Sequence, residues 1–266
     1  MAMKKWYDDL VDRTQVIVVA GGKAKRLGTD VPKCLLEISG KKLIDMSIES
    51  LTNEGFKDFV FLLGHKHEMV LDHIGDGSKY GIRVTHSVDP ANVTGWGKGK
   101  AFKYALLNNN IDTSKRSLVV FPDDIVLEDK IFSRLLMYHA DSMRKRATSA
   151  TIVLVPGTEY PYGVAEVNGD GIVMKFTEKP LVNLATSIGM YAFEPEVYDI
   201  IREKIDLDEP RPVEFESVVL THLAQEYKLA SMYIETKNWV PINTMKEYEN
   251  AIKVLTVKIQ REGLRS

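Results

Sequence analysis

The sequence predicts a mixed α/β fold: a mostly parallel central sheet flanked by helices, with a β-rich lobe in its second half. Three observations carry that expectation. Short apolar runs at 16–20, 59–64 and 117–121 alternate with stretches of helical period. Strands so uniformly apolar are buried on both faces, the mark of parallel strands joined by right-handed crossovers. From residue 150 the pattern turns β-rich, through ATIVLV, YGVAEVN, GIVMKFTEK and TSIGMYAF. No internal repeat and no linker rich in Pro or Gly interrupts the chain, so residues 15–266 read as one continuous domain preceded by an extension, 1–14.

Taken in order, 1–14 reads as a short amphipathic helix with Trp6, Leu10 and Val11 on its apolar side. The strand at 16–20 leads into a glycine-rich, basic loop. Leu43, Met46, Ile48 and Leu51 then mark a helix ending near Gly55. A second strand (59–64), a short helix (66–74) and a third strand (82–87) follow. Next come a helix at 100–108, the strand at 117–121 and a helix at 129–145 that ends in basic residues, as the helix dipole favours. A turn at Asn168-Gly169-Asp170-Gly171 joins the second and third strands of the β-rich part. Helices at 195–204 and 214–227, a strand at 229–235 and a helix from 244 to about 262 complete the chain. In parallel sheets ligands sit beyond the carboxyl ends of the strands, so each loop that follows a strand is a candidate wall of the site.

Composition excludes several classes. The 266 residues are 44% hydrophobic and 27% charged, enough to bury a sizeable core. A net charge of −2 gives no support to a nucleic-acid partner. No apolar stretch approaches the ~20 residues of a membrane span, and nothing resembles a signal peptide. The single cysteine, Cys34, cannot form an internal disulfide, which suits a reducing compartment. It reads as small filler in the turn after the first strand. A soluble, cytoplasmic protein is expected. His65 and His67 read as part of a solvated turn.

The most informative stretch is QVIVVAGGKAKRLGTDVPKCLL (15–36). Glycines free backbone N–H groups to turn towards an anion, and Lys23, Lys25, Arg26 and Lys33 add positive charge. The spacing fits neither a Walker loop nor a dinucleotide fingerprint. GGKAKRL…PK resembles the GGxGxRL…PK signature of sugar-phosphate nucleotidyltransferases. The short gap between Arg26 and Pro32 is similar to that of the uridylyltransferase that makes UDP-N-acetylglucosamine. Ala24 and Lys25 depart from the usual Gly and Thr or Ser, and Ala resists the positive φ that Gly accepts.

That resemblance extends over roughly residues 15–250 and implies a Rossmann-like sheet of the nucleotide-diphospho-sugar transferase type. It also implies a set of site residues. Ala20, Gly21, Gly22 and Lys23 would receive the nucleotide, with Arg26 on the β- and γ-phosphates and Lys33 between the attacking phosphate and the α-phosphate. Gly97 and Lys98, in TGWGKGKAFKYAL, align with a segment that packs against the base, and Asn92 stands near the position of a base-pairing Gln. In FPDDIV, Asp124 aligns with a magnesium-binding Asp, while Asp123 replaces a Gly and is a supporting group at most. Gly163, Glu178 and Lys179 match the YG…EKP segment that holds the sugar phosphate, and Ser187 stands where Asn is usual. Pro241 occupies the position of a second carboxylate ligand, which leaves Asn243 as the second metal ligand or, in the plainer reading, as a helix cap.

The resemblance thus implies an enzyme joining an NTP, with UTP or dTTP favoured, to a glucose-1-phosphate-like sugar 1-phosphate. It would need Mg²⁺ as cofactor, and homo-oligomer formation is left open. Two other readings share the opening loop, a cytidylyltransferase for a non-sugar alcohol phosphate and a guanylyltransferase acting on a molybdenum cofactor; a third, prompted by the departures at Ala24, Ser187 and Pro241, is a regulatory subunit that binds nucleotide sugar without turnover.

Overall fold

A computed structural model describes residues 2–24, 27–91, 93 and 95–263. Arg26 and Asn92, both expected at the nucleotide, lie outside the described residues. Seven strands form one sheet, numbered here in chain order: β1 (Thr14–Val19), β2 (Asp58–Leu63), β3 (Arg83–Val88), β4 (Arg116–Val120), β5 (Ala150–Val155), β6 (Thr186–Phe193) and β7 (Leu229–Tyr233). Their spatial order is β7-β5-β6-β4-β1-β2-β3. Pairings are parallel except on both sides of β6, which runs antiparallel to β4 and β5. The expected mixed, mostly parallel sheet is therefore present.

Alternation along β1 shows how the sheet is covered. Val16 and Val18 face one apolar cluster, and Ile17 faces another. The first cluster takes in helices α1 (Ala2–Asp12), α2 (Leu43–Asn53), α3 (His67–Ile74) and α5 (Ile131–Arg146). The second takes in α4 (Lys98–Leu107), α6 (Glu196–Lys204) and the segment 215–223. Helix α1 is tied to the body: Leu10 and Val11 are buried, and the Tyr7 hydroxyl donates to the Glu54 carbonyl at 2.9 Å. The expected helix at 214–227 is present, beginning as a π-helical segment, Glu216–Leu220, that continues directly into an α-helix, Thr221–Gln225.

A third cluster bears directly on function. Ala24 and Leu27 of the basic loop pack with Ile38, Leu43, Val240 and Ile242 and with Ala251 and Leu255 of the last helix, α7 (Met245–Gly263). The departure from Gly at 24 is explained here. Ala24 is 2% exposed, does not use positive φ, and its methyl group fills this small core. Burial of such groups ties a loop near the start of the chain to a ribbon and helix near its end.

Candidate active site

Strand order reverses direction between β1 and β4, since β1 leads on one side to β2 and on the other to β4. At the carboxyl ends of these strands the loops diverge and leave a crevice. A cleft of about 710 Å³ opens there, walled by 20–23, 33, 64–67, 89–91, 95–98 and 121–124, with Asn243 at its rim. It brings together Ala20, Gly21, Gly22, Lys23, Lys33, Gly97, Lys98, Asp124 and Asn243.

The basic loop is closed on itself. Lys23 bridges to Pro32, and the Lys33 amide donates to the Gly22 carbonyl at 3.4 Å. Gly21 lies flat against β2: a Cβ there would sit 3.2 Å from the Gly64 amide nitrogen. Pro32 then starts a single turn, Lys33–Leu35, that aims Lys33 into the cleft while Cys34 and Leu35 turn inward. Burial pushes the Cys34 thiol up to about 12, so it is an unreactive filler, as its sequence context suggests.

Lys33 is the hub. Its ammonium forms an ion pair with Asp123 and donates to Asn243 Oδ1 at 2.9 Å. Asp123 therefore does more than support its neighbour, because it carries the counter-charge of the loop lysine. Asp124 is held separately. The short strand Asp124–Val126 pairs antiparallel with Trp239–Pro241, with Pro241 opposite Asp124. This ribbon lets the Trp239 indole N–H donate to Asp124 Oδ1 at 3.0 Å. On the other side Gly189 gives room, since a Cβ there would lie 2.9 Å from Asp124 Oδ2. Burial, and next the charge of Asp123, push the Asp124 carboxyl up to about 7.

Asn243 is not the helix cap. Thr244 caps α7: its hydroxyl accepts from the Glu247 amide at 3.3 Å, and the Glu247 carboxylate accepts from the amides of Asn243 and Thr244, both at 2.8 Å. That reciprocal pattern is a capping box, which frees the Asn243 side chain for Lys33. Thr244→Ala should accordingly lower stability by about 1 kcal/mol and leave the magnesium dependence of any activity unchanged. Asn243→Ala should do the reverse, read by thermal melting and a magnesium titration.

Other expected residues have different partners. Lys98 is paired with Glu214 at 3.3 Å and Glu216 at 2.7 Å, and lies over the Phe121 ring at 5.1 Å. Gly97, at φ +87°, is required by packing, because a Cβ would lie 2.5 Å from the Val213 backbone. Gly163, Glu178, Lys179 and Ser187 do not line the cleft. Gly163 and Glu178 are neighbours beside the hairpin 164–177, and the Ser187 hydroxyl sits 3.3 Å from that of Tyr191.

The cleft also contains groups that sequence reasoning missed. His65 and His67, read as a solvated turn, line it, and His65 bonds Asp30 at 3.2 Å. Their signal was positional, since they follow β2. Asp89 follows β3 in the same way. Its carboxyl is half-buried and is pushed by burial up to about 6. It fits only because residue 64 is glycine, where a Cβ would lie 2.9 Å from Asp89 Oδ2.

This crevice, with a glycine-rich basic loop facing two adjacent carboxylates, agrees with a family-model match to "Nucleotidyl transferase" over residues 15–257. The chain belongs to that family. Among its relatives is the mannose-1-phosphate guanylyltransferase catalytic subunit beta of Drosophila pseudoobscura pseudoobscura, 26% identical over 88% of this chain and 60% of that protein. Another is the UTP–glucose-1-phosphate uridylyltransferase of Synechocystis, 27% identical over 90% of this chain and 62% of that protein. The chain thus spans about three-fifths of the length of these nucleotidyl transferases. A solved Bacillus anthracis chain assigned as a glucose-1-phosphate thymidylyltransferase shares the fold, with a TM-score of 0.68 at 19% identity, covering 91% of this chain and 94% of its own. No helix among the described residues is long and apolar enough to cross a membrane.

Proposed function

We propose that this nucleotidyl transferase joins an NTP to a sugar 1-phosphate, giving an NDP-sugar and pyrophosphate. The observation that carries the reading is the meeting, in one cleft, of the glycine loop, the Lys33 ammonium and the carboxylates of Asp123 and Asp124. An oxygen of the sugar phosphate attacks the α-phosphorus in line, one P–O bond forms, and the bond to pyrophosphate breaks. No protein nucleophile is required, so the protein's contribution is positioning and charge neutralisation. Backbone amides of 20–23 would receive the nucleotide phosphates. Lys33, steadied by Asp123 and Asn243, would lie between the attacking phosphate and the α-phosphate. Arg26 is assigned to the β- and γ-phosphates by family resemblance.

The donor set fits Mg²⁺. Asp124 offers a hard oxygen whose ionisation is opposed by burial and by Asp123, a local demand for a cation. Among the described residues no group of three or more His, Cys, Asp or Glu could hold a metal alone. Mg²⁺ commonly takes one or two protein carboxylates and completes its shell with water and substrate phosphate. Asp124 would hold it, with Asn243 within the same rim. When bound, the ion would neutralise charge developing on the phosphates. Gly163, Glu178, Lys179 and Ser187 are kept as the sugar-phosphate side on family resemblance.

Asp89 supports guanine as the base. Its carboxylate makes no hydrogen bond to described residues and lines the cleft beside Gly64. Guanine offers two adjacent donors, N1–H and N2–H₂, to a carboxylate; uracil and thymine flank their single N–H with two carbonyl oxygens, which a carboxylate repels. Guanylyltransferase relatives support the same choice. The pyrimidine preference expected from the sequence has the uridylyltransferase relative in its favour. Pyrophosphate release with GTP, UTP, dTTP, CTP and ATP, each with mannose 1-phosphate or glucose 1-phosphate, decides. GTP should exceed UTP by roughly ten-fold or more in kcat/KM, the scale of one base-edge contact. Asp89→Asn, which presents both donor and acceptor, should narrow that ratio. Preference for UTP or dTTP, unmoved by Asp89→Asn, would remove Asp89 from the base site. Nucleotide binding without pyrophosphate release under any pair would favour the regulatory-subunit reading.

A further inference from the structure

The cleft has a second basic lip. Across from the glycine loop, the turn after β2 brings His65, Lys66 and His67 to the cleft lining. The two lips touch at their roots. Gly64 has no room for a side chain, because a Cβ there would lie 3.1 Å from the Gly21 carbonyl oxygen. On the same seam the Leu62 carbonyl accepts from the Ala20 amide at 2.9 Å. Residues 65–67 therefore rise beside the backbone of 21–23 and not on a remote part of the surface. Lys66 also lies in the left-handed region, at φ +50°. Residues other than glycine seldom occupy it, and such strain tends to persist where function requires it.

Lys66 touches the tip of the opposing loop. It forms an ion pair with Asp30, and His65 Nε2 shares that carboxylate at 3.2 Å. Asp30 stands between Arg26 and Pro32, so the contact straps the basic loop to the turn after β2. Of the other acids on this lip, Glu68 lies 3.4 Å from His67 and Asp89 packs on Gly64, which leaves Asp30 as the carboxylate that holds Lys66. The pair is open to water: the Asp30 side chain is 77% exposed and that of Lys66 38%. Exposed ion pairs hold their partners weakly. A phosphate group brings more charge and more acceptor oxygens than one carboxylate, so it is the stronger partner for the same ammonium.

We propose that Lys66 is a phosphate-binding residue: the terminal phosphates of the NTP, and the pyrophosphate that leaves, displace Asp30 from its ammonium and lie between Lys66 and the glycine loop. Asp30 is then a place-holder for phosphate. His65 keeps hold of it when Lys66 turns inward, so the carboxylate is not left without a partner. The inference rests on the reading of the cleft as an NTP site. It adds a cation that the glycine loop does not supply.

Its test is binding and does not use turnover. Isothermal titration calorimetry with Mg²⁺ compares GTP, GDP and GMP, the matching uridine series, and inorganic pyrophosphate. Lys66→Ala should raise Kd for the bound triphosphate, and for pyrophosphate, by roughly ten-fold, the scale of one charge-assisted hydrogen bond. Affinity for the monophosphate should not change. Alanine meets the same backbone demand as lysine, so the fold should be kept, and Lys66→Arg, which keeps the charge, should retain most of the affinity. Lys41→Ala removes another exposed ion pair, to Glu49, outside the cleft lining, and should alter none of these affinities. Asp30→Asn should tighten triphosphate binding a few-fold, and the gain should vanish in Asp30→Asn/Lys66→Ala, because Asp30 acts by holding Lys66. Three results overturn the proposal: parent-like affinities in Lys66→Ala, an equal loss for mono-, di- and triphosphate, or an Asp30→Asn gain that survives without Lys66. If the Lys66 effects appear but no substrate pair releases pyrophosphate, the phosphate assignment stands and the transfer reaction falls.

Discussion

Asp124→Asn should reduce turnover by about a hundred-fold or more, the scale of losing one strong electrostatic contact to the transition state, while making the ligand-free protein more stable. The two effects share one cause. Asp124 is buried beside Asp123, and its carboxyl is pushed up to about 7. A folded-state pKa above the unfolded value means that the native state holds the proton more tightly. Ionisation therefore costs stability as pH rises from about 4 towards 7, and the full penalty stands above 7. The amide is nearly isosteric and still accepts from the Trp239 indole, so only the charge is removed. Tm should rise by about 2–4 °C at pH 8, the shift expected for ~1 kcal/mol in a chain of this size, and the gain should vanish near pH 4. Saturating magnesium should not restore turnover. An active mutant, or one less stable than its parent at pH 8, would contradict the assignment.

Lys33→Ala should lower kcat by roughly a hundred- to a thousand-fold with a smaller change in KM for the NTP, because its charge matters most as the α-phosphate becomes crowded. It should also destabilise the protein. The Lys33 and Asp123 side chains are only 14% and 21% exposed, so removing the lysine strands a largely buried carboxylate. Asp123→Asn in the same protein should recover the lost stability without recovering kcat. If the single mutant turns over like the parent, the loop is structural, and the ion pair is a fastening between the loop and the end of β4.

Much of this site was legible because its signals are local. GG, the loop cations and Pro32-Lys33 lie within one strand-loop unit, and the structure sets that unit at the crevice between β1 and β4. Asp124 was legible as an acid after an apolar strand. What held it was not. Trp239 reaches Asp124 across 115 positions of sequence, through a three-residue ribbon too short to announce itself. Gly97 read as a nucleotide-facing glycine, whereas its need is set by Val213, a contact with no local trace. The cap of α7 shows the opposite case. Thr244-x-x-Glu247 is a local signature whose residue types and spacing suffice to assign the cap to Thr244 rather than Asn243. Asp89, His65 and His67 carry no motif, yet each follows a strand of the parallel sheet, and that position alone marks them as wall residues.

The most direct test of the account is phosphorus NMR of the parent protein with Mg²⁺, the preferred NTP and its sugar 1-phosphate. The predicted result is one NDP-sugar, with its coupled diphosphate pair, for each pyrophosphate formed, without inorganic phosphate and with no reaction when the sugar phosphate is withheld. Hydrolysis of NTP in the absence of sugar phosphate, or no diphosphate-sugar product from any nucleotide, would contradict the claim that this cleft performs nucleotidyl transfer.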